Sequence, residues 1–161
     1  MHQYRLSCAW QGSTGVGYDA YDRAHTATTP PVPDPLLLSG DPAFGGDAVR
    51  WNPEQLLVLA ASSCQLLSFL AVAARARLDV IAYDDDARGE MPDDDLPVRV
   101  TRIVLRPHIT VRAGDRYAGR ADRLVERVHH CCEVAHRECY IANSVTTDIV
   151  VEPTVEVVSD G

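Results

Sequence analysis

NPEQLLVLAASSCQLLSFL, residues 52–70, opens with a helix start and continues as a helix that is apolar on every side. Asn52 is an N-cap, Pro53 fits the first helical position, and Gln55 completes a capping box. Trp51 and Leu56 occupy the positions of a hydrophobic staple. The spacing predicts a helix from Pro53 to about Arg77. A helix without a polar face must be covered by more than one layer, so it is expected at the centre of the fold or at a subunit interface. Ser62, Ser63, Cys64 and Gln65 fall at its midpoint, where polar groups are costly unless they meet partners. A cysteine in such a helix reads most simply as a small hydrophobe. Its polar neighbours are what single Cys64 out.

Residues 55–74 carry no charge over a length that could cross a bilayer. Gln55, Ser62, Ser63, Cys64, Gln65 and Ser68 make the segment too polar for a lone span, and no basic flanking loop accompanies it. A helix buried inside a soluble fold is the expectation. The N-terminus, MHQYRLSCAW, lacks the charged and apolar regions of a secretory signal.

Outward from the helix, the chain reads as α+β. Residues 3–10 alternate, with Tyr4, Leu6, Cys8 and Trp10 on one face, and predict a half-buried strand. The turn GSTGVG leads to a second strand within Tyr18–Thr28, with a hairpin as the natural connection. Pro30, Pro31, Pro33, Pro35 and Pro42 make residues 28–48 an irregular connection. Tyr83–Met91 predicts a strand, and Val98–Val111 one bent strand or a hairpin, with Pro107 at an edge or a bend. AGRADRLVERVHHCCEVAHREC, residues 118–139, predicts a second helix, and SVTTDIVVEPTVEV two short strands around Pro153. The order β-β-α-β-β-α-β predicts antiparallel strands in one layer and helices in the other, in a single domain spanning residues 1–161.

The chain has 161 residues, of which 46% are hydrophobic, enough for one real core. A net charge of −8 argues against nucleic acid or an anionic membrane as partner. All 15 basic side chains are arginine, which excludes Schiff-base and phosphate-loop lysine chemistry. Five cysteines (Cys8, Cys64, Cys131, Cys132, Cys139) without a signal peptide read as the free, metal-bound or catalytic thiols of a cytoplasmic protein.

HHCCEVAHREC raises zinc, because His129, Cys132, His136 and Cys139 stand at i, i+3, i+7 and i+10 on roughly one helix face. A straight helix spreads them over about 15 Å, whereas a tetrahedral ion needs every ligand within roughly 2.3 Å. The expectation is no metal site. The runs Asp84–Asp86 and Asp93–Asp95 lack calcium-loop spacing and read as solvated turns.

WNPEQLLVLAASSC is similar to the N-P-E-[EQ]-L…(A/S)-x-C signature of the OsmC/Ohr family of thiol peroxidases, and AHRECYIANSVTTDI resembles its A-x-x-x-C-P-x-S-N segment. Both occur in the expected order, one on each helix. The resemblance implies an intertwined homodimer, with two long central helices wrapped by antiparallel sheets from both chains. It implies Cys64 as the peroxidatic thiolate and Cys139 as the resolving thiol; apart from the resemblance, Cys132, one or two turns from Cys139, is read as a backup resolving thiol. It also implies organic hydroperoxides as substrate, an external dithiol of the lipoyl or another small type as reductant, and no cofactor. Tyr140 departs from the motif, standing where proline usually follows the resolving cysteine.

A free thiol is mostly protonated near neutrality, so the chemistry demands a group that stabilises the thiolate. The helix dipole acts only in the end turns. An arginine held by a carboxylate is therefore expected. Glu54 matches the family's carboxylate. One branch of the family carries its arginine after the first hairpin strands, which corresponds to Arg23 in YDRAH. Another carries it just before N-P-E, where this chain has Ala43 and Phe44 and the nearest arginine is Arg50. Arg23 is the first expectation and Arg50 the second. Glu54 and Cys64, ten residues apart, lie about 15 Å apart on a straight helix. Either the helix breaks between them, or Glu54 serves the Cys64 of a partner chain, which is the favoured alternative. The rival to an enzyme is a binding protein of the same fold, whose thiols and histidines hold a small ligand or metal without turnover.

Overall fold

The computed structural model of the protein describes residues 1–159. It has the element order β1 (Ser7–Ala9), β2 (His25–Thr28), β3 (Leu36–Leu38), α1 (Pro53–Arg75), β4 (Asp79–Asp85), β5 (Arg88–Glu90), β6 (Arg102–Leu105), β7 (Pro107–Ala113), α2 (Ala121–Glu138), β8 (Asp148–Val151) and β9 (Thr154–Ser159). The fold is mixed α+β. Its contacts cluster into two compact units, Met1–Leu57 and Val58–Gly161, and α1 starts in the first and continues in the second.

The first unit is a three-stranded antiparallel sheet in the order β1-β2-β3. The hairpin of the first two strands forms as expected, although both strands are shorter than the alternation predicts. Two expectations are corrected. The connection 28–48 contributes β3, because Leu36–Leu38 find backbone partners on β2 once the prolines have passed. The strand expected to be half-buried is exposed throughout, with Tyr4 and Leu6 at 93% and 73% of full exposure.

The capping box at the head of α1 forms as the sequence dictates. The Gln55 N–H donates to Asn52 Oδ1 at 2.7 Å, and the Asn52 N–H donates to Gln55 Oε1 at 3.1 Å. Asn52 Nδ2 adds a bond to Asp41 Oδ2 at 3.2 Å, tying the cap to the preceding loop. The helix ends with Arg77 in the left-handed region (φ 58°), the conformation of a helix C-terminal cap.

The second unit has two three-stranded sheets, β4-β7-β9 and β5-β6-β8. These sheets are mixed rather than purely antiparallel: β6 pairs with β8, and β7 with β9, in parallel. The reason is connectivity. β6 and β7 form one bent run broken at Arg106, β8 and β9 form another broken around Pro153, and α2 supplies the crossover that parallel pairing requires. Pro107 sits at the bend, as expected. Phe69, Val72 and Ala73 of α1 pack with Leu124, Val128 and Ala135 of α2 over Ile109 and Val111 of β7. At Gly89 a Cβ would stand 2.6 Å from a methyl of Val58, so the approach of β5 to α1 requires glycine there.

Two of the polar residues in mid-α1, Ser62 and Gln65, have hydrogen-bond partners, although Gln65 Oε1 has none among the described residues. Ser62 Oγ donates to Asp85 Oδ2 at 2.5 Å, and the other oxygen of Asp85 accepts the Arg106 N–H at 2.7 Å. One carboxylate thus joins α1 to the bend between β6 and β7. Gln65, wholly buried, donates through Nε2 to the Cys132 carbonyl of α2 at 3.2 Å. By length and composition α1 could cross a membrane, and 28% of its most apolar window is buried; these bonds attach it to β4 and α2.

Phe69 is fully buried, so Phe69→Ala is expected to lower the unfolding free energy by about 3–5 kcal/mol. Asn52→Ala, which removes the cap, is expected to cost about 1 kcal/mol. Urea denaturation followed by circular dichroism measures both, and equal small losses would contradict this packing.

Candidate functional site

Cys64 and Cys139 come together in the second unit. Cys64 lies in mid-α1, one position before the buried Gln65, and Cys139 is the residue that closes α2. Their side chains are hydrogen bonded to one another, and neither is in a disulfide. The chain after Cys139 turns tightly. The Asn143 N–H returns to the Cys139 carbonyl at 3.0 Å, the Ser144 hydroxyl to the Tyr140 carbonyl at 2.6 Å, and the Ala142 N–H to Cys139 Sγ at 3.5 Å.

This turn sets the ionisation of the two thiols apart. Burial pushes the Cys64 thiol up, but hydrogen bonds from the Ile141 backbone, the Cys139 side chain, the Tyr140 backbone and the Ser68 side chain outweigh it. Cys64 is thereby held below its ordinary value. Burial pushes Cys139 up, and its contact with Cys64 adds to this against the Ala142 and Ile141 N–H groups. Cys64 is the natural thiolate of the pair and Cys139 the natural thiol. Burial first, then the negative groups at Cys131 and Glu133, pushes Cys132 up to about 12, and burial raises Cys131. These two are inert core thiols by environment.

Cys64 opens on a cavity of about 690 Å³, with Ala60, Leu67, Ala71 and Ile141 as apolar wall and Tyr140 and Asn143 at its polar side. Arg75 also lines it, bound to Glu138 at 2.9 Å. An apolar cavity ending on a nucleophilic sulfur can take a small organic molecule.

The first unit holds Arg23 and Glu54. Arg23 donates to the Tyr18, Tyr21 and Gly45 carbonyls at 2.8, 3.1 and 3.3 Å, and lies over the rings of Tyr21 and Tyr18 at 4.1 and 5.0 Å. It lines a cavity of about 490 Å³ with Trp10, His25 and Phe44. Arg50 is bound to Asp47 at 3.3 Å. Glu54 Oε2 is buried with no hydrogen-bond partner, and among the described residues no ion pair joins Arg23 to Glu54. α1 is continuous from Pro53 to Arg75, which excludes a break between Glu54 and Cys64.

His129, Cys132 and His136 line one cavity of about 410 Å³ beside β8, whereas Cys139 turns to Cys64 instead. Among the described residues no group of three or more His, Cys, Asp and Glu side chains could hold a metal ion. Sequence reasoning missed Ser68 and the N–H groups of Tyr140 and Ile141. Ser68 carried a signal, since it stands at i+4 from Cys64 on the same helix face. Backbone donors have no signature in side-chain identity.

The sequence profile of OsmC-like proteins matches residues 45–154, a span holding both motifs and both helices. The chain belongs to the OsmC family. Among solved structures, an OsmC-like protein of unknown function from Vibrio cholerae has 30% identity and a TM-score of 0.80, over 96% of this chain and 100% of that one. An organic hydroperoxide resistance protein OsmC from Legionella pneumophila, at 15% identity and a TM-score of 0.63, covers 97% of this chain and 99% of its own. An organic hydroperoxide resistance protein from Elizabethkingia anophelis, at 16% and 0.63, covers 98% and 99%. The last two share the OsmC fold with this protein. No curated protein matches the chain.

The thiol environments predict the order of alkylation. As pH rises, Cys64 is the first of the α1 and α2 thiols to ionise, and its thiolate is lost as pH falls through its lowered pKa. Limiting iodoacetamide at neutral pH is expected to label Cys64 ahead of Cys131, Cys132 and Cys139 in peptide maps. Labelling of Cys132 as fast as Cys64 would contradict the assignment.

Proposed function

We propose that this OsmC-family protein is a cysteine-based thiol peroxidase that reduces organic hydroperoxides to alcohols. The observation that carries the reading is the Cys64–Cys139 contact: one thiol held below its ordinary value, the other held protonated against it, at the end of an apolar cavity. The Cys64 thiolate attacks the O–O bond of ROOH. That bond breaks, Cys64 becomes a sulfenic acid, and the alkoxide takes a proton to leave as ROH. The Cys139 sulfur then attacks the Cys64 sulfur, water departs, and a Cys64–Cys139 disulfide remains. A small dithiol, of lipoyl or similar type, reduces the disulfide by exchange and is itself oxidised. A reducing cytoplasm suits five free thiols. No cofactor enters these steps.

The working unit is a homodimer in which Glu54 and Arg23 of one chain serve the Cys64 of the other. Three features support this. Glu54 Oε2 is buried without a partner, and α1 is unbroken between Glu54 and Cys64. Apolar side chains also stand open just before β1 and on α1, with Leu6 at 73%, Leu67 at 64% and Leu59 at 46% of full exposure.

Single-turnover reaction of the reduced protein with cumene hydroperoxide tests the chemistry. The expected result is a rapid loss of about two mass units, mapped to a Cys64–Cys139 link and absent in Cys64→Ser. A link from Cys64 to Cys132 would keep the peroxidase and change the resolving residue. No oxidation by a modest excess of peroxide would overturn the peroxidase and favour a binding protein of the same fold. Co-expression of a Cys64→Ser chain with a Glu54→Gln chain tests the dimer: a mixed dimer that recovers activity lost in each parent places Glu54 in trans, and no recovery rejects it.

A further inference from the structure

We infer that Arg75 and Glu138 are a pair of positioning residues that hold the end of α2 against α1 and so set how fast Cys139 closes on an oxidised Cys64. This rests on the reading of Cys64 and Cys139 as attacking and resolving thiols, and adds the groups that control the second step.

Arg75 is the last residue of α1 and Glu138 the last of α2. Their side chains meet at 2.9 Å, Arg75 Nη2 donating to Glu138 Oε2. Both line the cavity on which Cys64 opens, and so do Tyr140 and Ile141. The neighbours of Cys139 on either side in sequence therefore border the space at Cys64. Among the described residues two side-chain hydrogen bonds join the helices, Gln65 to the Cys132 carbonyl and Arg75 to Glu138. The first grips α2 two turns before Cys139, about 10 Å back along the helix. The second grips the residue that is joined to Cys139 by a peptide bond. Bonds inside the turn, Ser144 Oγ to the Tyr140 carbonyl and the Asn143 N–H to the Cys139 carbonyl, fix its shape but not its place over α1.

Helix electrostatics give no reason for an acid at position 138. The C-terminus of a helix carries partial negative charge and favours cations, which His136 and Arg137 of the same turn supply. Glu138 works against that charge, and the guanidinium it meets on the other helix accounts for it. With side chains 63% and 55% exposed, the pair adds little to stability, so its loss leaves the fold standing. A modest restraint still counts in the resolving step, whose rate follows how often one sulfur stands at the other. There the Cys139 sulfur bonds to the Cys64 sulfur, the S–O bond of the sulfenic acid breaks, and the Cys139 proton leaves with the oxygen as water. The hydroperoxide consumed in the first step has already supplied the oxidation.

The test reads the fate of the Cys64 sulfenic acid in the reduced full chain. Cumene hydroperoxide is added for a single turnover in the presence of dimedone, which captures sulfenic acid that has not closed. Intact mass gives the ratio of dimedone adduct to Cys64–Cys139 disulfide, a ratio into which the rate of the first step does not enter. Arg75→Gln and Glu138→Gln are each expected to raise it about threefold, the scale of one exposed ion pair. The exchanged pair, Arg75→Glu with Glu138→Arg, keeps one cation and one anion at the two helix ends and is expected to restore the parent ratio. Arg106→Gln breaks the comparably exposed Arg106–Glu152 pair, outside the cavity lining, and is expected to leave the ratio alone. A ratio unmoved in the single variants, moved equally by Arg106→Gln, or not restored by the exchange would overturn the inference. Parent protein that leaves cumene hydroperoxide untouched would remove the peroxidase reading, and the same variants in a glutathione redox buffer then decide. In that buffer a Cys64–glutathione mixed disulfide closes onto Cys139 and releases glutathione. A ratio of closed to mixed disulfide about threefold lower in the single variants keeps the positioning role, and an unchanged ratio rejects it.

Discussion

The turn that ends α2 meets Cys64 in mid-α1, and hydrogen bonding there holds the Cys64 thiol below its ordinary value against burial. A sulfur in the middle of an apolar helix has no free backbone N–H of its own helix in reach, since those lie a dozen residues away at the N-terminus, and Ser68 is the donor that α1 itself supplies. The other donors come from the turn after α2. Gln65, the next residue on α1, sets the register: its buried amide donates to the Cys132 carbonyl. Ser62 ties the same helix to Asp85 and so to the bend at Arg106. The polar cluster that looked out of place in an apolar helix is the set of attachments that fixes α1 against its neighbours.

Environment rather than identity divides the labour among the cysteines. Cys131 and Cys132 sit in the core with Leu124 and Val128, and burial there favours the neutral thiol. Cys139 is just as buried but has a partner sulfur, and its proton is more valuable as a donor to Cys64 than as one to release. Cys64 is the one α1 or α2 thiol whose hydrogen bonds outweigh its burial. An adjacent pair with opposite ionisation is what a two-step oxidation needs: a nucleophile ready to attack and a second thiol within reach of the product.

Much of this was written in the chain. Asn52, Pro53 and Gln55 announced the helix start, and each bond of the capping box formed. The helix motifs placed Cys64 and Cys139, which the fold brings into contact. Strand lengths in the first unit were less legible, because the alternation of Tyr4, Leu6, Cys8 and Trp10 marks an apolar face without saying what covers it. The parallel pairing of β8 with β6 and of β9 with β7 depends on where α2 returns the chain, which no local pattern encodes. The demand for a cation at the thiolate was framed in side chains, and therefore overlooked amides. Arg23 shows the converse: its residue type was visible, but its stacking between Tyr18 and Tyr21 follows from the loop's shape.

The most direct test of the account is the pH titration of thiolate absorbance near 240 nm in the reduced protein, taken as the difference from Cys64→Ser. The account predicts a single Cys64 transition whose midpoint lies below that of a free cysteine in the same buffer. A midpoint at or above that reference would contradict it, because burial would then outweigh the donors that the turn after Cys139 presents.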